Sequence, residues 1–115
     1  MLARMTPRLR AGIWVRALIR RAETAGAAAF VVRKGDETAG TVLIKLSTLD
    51  GLACVLSPST ALDGGRLWLR ATGAAPVAES EAEAYIARQL TYDPDIWVVE
   101  IEDPKGAWAF GERVI

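Results

Sequence analysis

The side chains best suited to ligand chemistry alternate along one short predicted strand. Arg66, Trp68 and Arg70 are each separated by a leucine, so all three point to the same face of an extended strand. An aromatic ring between arginines is typical of single-stranded nucleic-acid sites, because the ring stacks on a base while the guanidinium groups bind phosphates. Arg16 and Arg20, on a predicted helix, would extend this basic surface. These five residues form the candidate nucleic-acid or partner-binding site.

Acidic residues cluster near the C-terminal end and form a second candidate site. They are Asp93, Asp95, Glu100, Glu102 and Asp103. Carboxylates of this kind are ligands for hard cations such as Mg²⁺ and can act as general acids and bases. Their spacing matches no established ligand loop, and a turn around Pro94 followed by the wet face of a strand explains them equally well. We therefore predict no metal site and no cofactor.

Other enzymatic constellations are sparse. The chain has no histidine, which excludes a Ser-His-Asp triad and any metal site built on histidine. No glycine-rich phosphate loop has the required spacing. Lys45 and Ser47 share one side of a predicted strand, but we interpret them as residues of a solvated face. Cys54 lies in an apolar run and is predicted to be buried and inert. The sequence favours a non-enzymatic protein.

Composition indicates a folded domain. The chain has 115 residues, of which 51% are hydrophobic and 24% are charged, with zero net charge. We predict one domain over residues 1–115, in which residues 1–10 form a loosely ordered basic leader. Residues 1–45 carry a net charge of +6 and residues 46–115 a net charge of −6. A single cysteine favours a reducing compartment, so we predict a cytoplasmic protein without a membrane span.

The segment Ala29–Leu46 organises the predicted fold. Two apolar runs flank a polar, glycine-containing stretch, which predicts a β-hairpin. Before it, apolar residues at helical spacing predict a helix over Ile13–Ala25, packed on the sheet rather than on a membrane surface. After it, strands are predicted over Leu52–Leu56 and Arg66–Arg70, with Pro58 ending the first of them.

The C-terminal half completes the predicted order. A helix begins near Ser80 and stops before Pro94, and a strand covers Ile96–Glu102. A short terminal strand is expected at 108–110. The prediction is an α+β fold of order α-β-β-β-β-α-β, with a mainly antiparallel sheet of about five strands and both helices packed on it.

Four segments carry a resemblance to a known family. They are GIWVRALIRRAETAG, VVRKGDETAGTVLIKL, the DG pair that follows, and YIARQLTYDPDIWVVEIED. They resemble a family of short alphaproteobacterial proteins catalogued as domain of unknown function 1491. The resemblance covers most of the chain and implies a bacterial cytoplasmic protein. It implies no activity, because the family has no assigned chemistry or binding residues.

Three functions follow, in order of preference. The first is a small non-enzymatic interaction or regulatory module that forms a homodimer, with Trp68 or Trp108 near the contact. Tryptophan is favoured at interface hot spots, and an open sheet leaves strand edges to be covered. The second is a nucleic-acid-binding accessory protein that uses Arg66, Trp68 and Arg70. The third is a metal-dependent enzyme that uses the late carboxylates.

Overall fold

The computed structural model describes residues 10–105 and 113–115. The described chain forms two helices and seven strands. They are α1 (Ala11–Thr24), β1 (Ala28–Arg33), β2 (Val42–Ser47), β3 (Leu52–Thr60), β4 (Arg66–Arg70), β5 (Val77–Ala78), α2 (Glu79–Tyr92), β6 (Trp97–Glu102) and β7 (Arg113–Val114). The predicted α+β class is confirmed, and two-residue strands are added to the predicted order. Residues 1–9 of the leader predicted at 1–10, and the strand expected at 108–110, lie outside the described residues.

One mixed sheet joins all seven strands. Six of them follow the order β1-β6-β2-β3-β4-β7, and β5 pairs with β3. The pairs β2–β6 and β4–β7 are parallel, while the other pairs are antiparallel. This corrects the predicted mainly antiparallel sheet of about five strands. The parallel β2–β6 pair needs a long crossover connection, and that connection includes α2.

The predicted hairpin over Ala29–Leu46 is wrong, because β6 lies between β1 and β2. The connection at 34–41 is too long for a tight hairpin turn and is attached to the start of β6 instead. The Asp36 backbone N–H donates to the Asp95 carbonyl at 3.0 Å, and the Trp97 indole donates to the Asp36 carbonyl at 2.7 Å. These bonds keep β1 and β2 one strand apart.

Pro58 does not end β3, which continues to Thr60. The pairing of β3 with β2 stops at Leu56, whereas its pairing with β4 includes Pro58 opposite Trp68. Proline is tolerated where a strand is open on one side, because its missing N–H then breaks no ladder bond. The Asp50–Gly51 turn predicted between β2 and β3 is confirmed.

Helices cover opposite faces of the sheet, so there are two apolar clusters. The buried α1 residues Val15, Leu18 and Ala22 are 0% exposed and pack on a cluster that includes Ile44 and Trp68. On the other face, α2 contributes Ala82 and Ile86 to a smaller cluster. The predictions that both helices pack on the sheet and that α1 is a core helix are confirmed.

The start of α1 is fixed by the connection between β1 and β2. The backbone N–H groups of Ala11 and Gly12 donate to the carbonyls of Thr38 and Glu37 at 3.1 and 3.0 Å. These bonds satisfy donors that the helix itself leaves unpaired. The connection is thereby held beneath the N-terminus of α1, where it forms part of a groove.

Candidate functional site

Two tryptophans and an arginine form a compact cluster between α1 and β4. The rings of Trp14 and Trp68 stack with centroids 5.6 Å apart and planes at 28°. The Arg66 guanidinium carbon lies 4.6 Å from the centroid of the Trp14 ring. Stacking on a ring orients a guanidinium group while its N–H edges stay free for a ligand. The cluster thus presents an oriented positive charge.

This cluster forms one wall of a groove of about 770 Å³, here called the arginine groove. Its charged lining residues are Arg10 and Arg66. Its hydroxyl-bearing lining residues are Thr38, Thr41, Ser59 and Thr60. No carboxylate is found among the described residues that line it. The volume is within the range of small-molecule sites, and the lining suits an anionic ligand.

Three parts of the fold bring the groove together. Arg10 and Trp14 belong to the start of α1, and Thr38 and Thr41 belong to the connection between β1 and β2. The end of β3 supplies Pro58, Ser59 and Thr60, and Thr60 pairs with Arg66 of β4. β3 continues past the N-terminal end of its antiparallel neighbour β2, so its last residues project beyond the centre of the sheet.

The structure brings together only part of the predicted basic site. Arg66 and Trp68 lie at the arginine groove, but Trp68 is 1% exposed, so its ring has no free face for a base. Arg16 is exposed on α1 and pairs with Glu37 at 3.0 Å. Arg20 and Arg70 are exposed and do not line the groove.

Two groove residues, Arg10 and Trp14, were missed by the sequence reasoning. No local pattern places them beside β4, because the contact joins residues about 50 positions apart. The only available signal was Trp14 itself, a large aromatic residue next to the buried stripe of α1. Trp108, the other predicted dimer residue, lies outside the described residues.

A buried lysine occupies the opposite face of the sheet. Lys45 is 3% exposed, which corrects its predicted place on a solvated strand face. Its Nζ donates to Oε1 of Glu79 at 2.7 Å and of Glu83 at 2.5 Å, and lies 3.4 Å from Oε1 of Glu100. Ser47 is buried beside it at 4% exposure and accepts a bond from the Leu49 N–H at 3.3 Å.

The carboxylates keep Lys45 charged. Burial alone lowers the pKa of its ammonium group, but the hydrogen bonds that it donates to Glu79 and Glu83 and the charge of Glu100 raise that pKa well above the ordinary 10.5. A lysine held protonated in this way is a poor general base. The cluster instead ties the first turns of α2 to the centre of the sheet.

Among the described strands, β1 forms one edge of the sheet, and it is unusually apolar for an edge. Phe30, Val31 and Val32 are 44%, 40% and 54% exposed. The register with β6 shifts between Val31 and Arg33, which marks a β-bulge. Exposed apolar edge strands offer unpaired backbone groups to another chain, so β1 is a candidate interface.

The remaining predicted features have simpler structural roles. Asp93 accepts a bond from the Asp95 N–H at 3.0 Å in the turn before β6. Within 10–105 and 113–115, no group of three acidic, cysteine or histidine residues is placed to hold a metal ion. Across those same ranges, no helix is both long and apolar enough to cross a membrane. Cys54 is a buried free thiol, as predicted.

Comparison with known proteins identifies relatives over nearly the whole chain. The crystal structure of a DUF1491 family protein from Caulobacter crescentus CB15 is similar to this chain, with 46% sequence identity and a TM-score of 0.81. The match covers 94% of this chain and 100% of that one. An NMR structure of a DUF1491 protein from the same organism has 47% identity and a TM-score of 0.76, covering 93% and 96%.

A third solved structure is more distant. The solution structure of protein Atu0922 from A. tumefaciens has 33% sequence identity to this chain and a TM-score of 0.72. The match covers 84% of this chain and 86% of that one. No curated protein matches the chain. The family model described as "Protein of unknown function (DUF1491)" matches residues 9–110. The resemblance noted in the sequence is therefore confirmed, and the chain belongs to the DUF1491 family.

Proposed function

We propose that this protein is a small non-enzymatic interaction module that pairs with a second copy of itself through β1. The observation that carries the proposal is the row of exposed apolar residues Phe30, Val31 and Val32 on an edge strand. Edge strands that avoid pairing usually carry charges or proline instead. The proposed contact replaces the one predicted at Trp68, which is buried.

A second copy fits this edge because the contact is self-complementary. Two β1 strands related by a twofold axis pair antiparallel, so each apolar segment meets its own copy. The basic end of one strand, Arg33 and Lys34, then lies opposite the Ala28 end of the other. That end directly follows the C-terminus of α1, where the helix dipole is negative and Glu23 is exposed. Arg21 lies in the same last turn of α1 and offsets this negative charge, so the apolar segments carry the proposed contact.

The bulge limits the strength of the contact. Only Ala28–Val31 pairs with β6 in unbroken register, which is about 13 Å of strand. An interface built on so short an edge falls at the small end of specific interfaces. We therefore expect a weak dimer that is populated at about 0.1 to 1 mM protein.

We also propose a single domain and a cytoplasmic location, each on structural grounds. A single domain is supported by the packing of both helices on one sheet. A cytoplasmic location is supported by Cys54, which is a free thiol. The nucleic-acid alternative has less support, because Trp68 is buried and the Trp14 ring carries the Arg66 guanidinium group.

Sedimentation equilibrium of the full chain tests the proposal. We expect the mass to rise from monomer to dimer with concentration, and the dimer to persist at high salt, since the contact is mainly apolar. Val32→Lys places a charge on the edge and should leave a monomer at the same concentrations. Leu62→Lys is the matched control, because Leu62 is fully exposed in a turn away from β1.

Two results would overturn the proposal. The first is a monomer mass at every concentration up to about 1 mM. The second is a dimer that Val32→Lys leaves unchanged, which would place the contact elsewhere on the surface. Amide hydrogen exchange gives an independent reading, because dimer formation should slow the exchange of β1 amides that point away from β6.

A further inference from the structure

We propose that the arginine groove binds a small phosphorylated molecule through its phosphate group. Arg10 and Arg66 line the groove together with four hydroxyl-bearing residues, and no carboxylate is among the described lining residues. The Arg66 guanidinium group lies over the ring of Trp14, which also lines the groove. The groove lies beside β4, whereas β1 forms the opposite edge of the sheet. Phosphate binding in the groove is therefore independent of self-association through β1.

The groove arginines differ from three other arginines of the described chain, which have oxygen partners. Arg16 pairs with Glu37, Arg113 pairs with Asp63, and Arg33 donates to the Pro94 carbonyl. In the part of the chain that the structure describes, the guanidinium groups of Arg10 and Arg66 have no such oxygen partner.

Charge and geometry favour a phosphate over a monocarboxylate. A phosphate monoester carries about −1.5 to −2 charges at neutral pH and presents three acceptor oxygens. Two arginines balance that charge, and the hydroxyls of Thr41 and Ser59 add donors of the kind that bind phosphate. Arg10 and Arg66 are both exposed, so both side chains are accessible to a ligand from solution.

The phosphate, rather than an attached ring, carries the recognition. Trp68 is buried, and Arg66 already stacks on Trp14, so neither indole is a free platform for a base. The stack instead holds the Arg66 group in position before the ligand arrives, which lowers the entropic cost of binding. A nucleotide and a sugar phosphate should therefore bind alike.

Nuclear magnetic resonance titration of the full chain tests the inference. The probes are inorganic phosphate, AMP and ribose 5-phosphate, with adenosine and sodium chloride at matched ionic strength as controls. We expect all three phosphates to shift the Trp14 indole and the Thr41 amide saturably, with dissociation constants below about 1 mM. Adenosine and chloride should leave these resonances in place.

Variants separate the groove from general surface charge. Arg66→Gln and Arg10→Gln should each weaken phosphate binding by at least about tenfold, as expected for loss of a charge-assisted bond. Arg88→Gln is the matched control, because Arg88 also lies over an aromatic ring, 6.0 Å from the centroid of Tyr85, but on α2. Circular dichroism verifies that each variant is folded.

Several outcomes would overturn the inference. One is the absence of saturable shifts with about 20 mM phosphate, since two arginines and several hydroxyls should hold a dianion more tightly than this. Another is equal weakening in Arg88→Gln and Arg66→Gln, which would indicate diffuse attraction. A third is an oligonucleotide that binds far more tightly than AMP and reports on Arg16 and Arg20, which would identify single-stranded nucleic acid as the ligand.

Discussion

Replacing Lys45 by methionine tests whether the buried ion cluster fixes α2 to the sheet. Methionine keeps most of the side-chain volume and removes the charge. The three carboxylates then lose a common cation, but they differ in their access to water. The side chains of Glu79 and Glu83 are 46% and 57% exposed and can turn outward, whereas that of Glu100 is 14% exposed. Glu100 is therefore the group left buried without a partner.

The expected free-energy changes follow from this difference. Removing one member of a buried ion pair costs about 3 to 5 kcal/mol. Because two of the three carboxylates can turn toward water, we expect Lys45→Met to lower the free energy of unfolding by about 3 kcal/mol. Glu100→Gln leaves Lys45 with two carboxylates and should cost about 1 kcal/mol. The double variant leaves no buried unpaired charge, because only the exposed Glu79 and Glu83 stay ionised. We therefore expect a loss of about 2 kcal/mol and a coupling energy of about 2 kcal/mol.

Urea unfolding of the wild type, the two single variants and the double variant measures these values. Far-ultraviolet circular dichroism and tryptophan fluorescence should report the same transition, with the urea dependence of the unfolding free energy unchanged. Lys34→Met is the control, because Lys34 is exposed and should change stability by less than about 0.5 kcal/mol.

Two outcomes would refute this reasoning. Lys45→Met could unfold within about 0.5 kcal/mol of the wild type, which is the range of surface substitutions. Alternatively, the double variant could show the simple sum of the single losses. Either result would mean that Glu100 does not need the ammonium group and that α2 is held by its apolar residues alone.

Two further predictions concern pH and the connection between β1 and β2. The pKa of Lys45 is higher in the folded state than the ordinary 10.5 of an unfolded chain. The stability that its charge contributes to the fold is therefore complete below pH 10.5 and is lost as the pH rises toward the higher folded pKa. The difference in unfolding free energy between wild type and Lys45→Met, measured by urea unfolding, should therefore shrink only above about pH 10.5. A difference that stays constant up to about pH 11.5 would contradict this prediction. Gly35→Ala should cost about 3 kcal/mol or more, because a Cβ there would lie 2.6 Å from the Trp97 nitrogen and clash with the Asp95 carbonyl; an unchanged melting temperature would contradict this.

Local patterns predicted the elements of this fold well. Helical spacing located α1 and α2, and the apolar runs located β2, β3, β4 and β6. These features depend on which residues face the core within one element, and that information lies in neighbouring positions. Strand order depends on contacts between distant segments, so the sequence did not reveal that β6 separates β1 from β2.

Lys45 illustrates the same limit at a single residue. The pattern Val42, Ile44 and Leu46 correctly predicts one buried face of β2, and alternation then assigns Lys45 to the wet face. In fact β2 is central and buried on both faces. Glu79 and Glu83 from α2 and Glu100 from β6, all more than 30 residues later, make a buried lysine tolerable. No local pattern indicates such partners.

The failed hairpin accounts for both proposed surfaces. Had β1 paired directly with β2, a short turn would have closed the pair and stayed at the end of the sheet. Because β6 intervenes, the connection at 34–41 crosses about 10 Å. This strand order leaves β1 at the edge of the sheet, with exposed apolar residues. The same connection reaches the N-terminus of α1, where Thr38 and Thr41 line the arginine groove. One topological feature thus produces the free edge and the groove wall together.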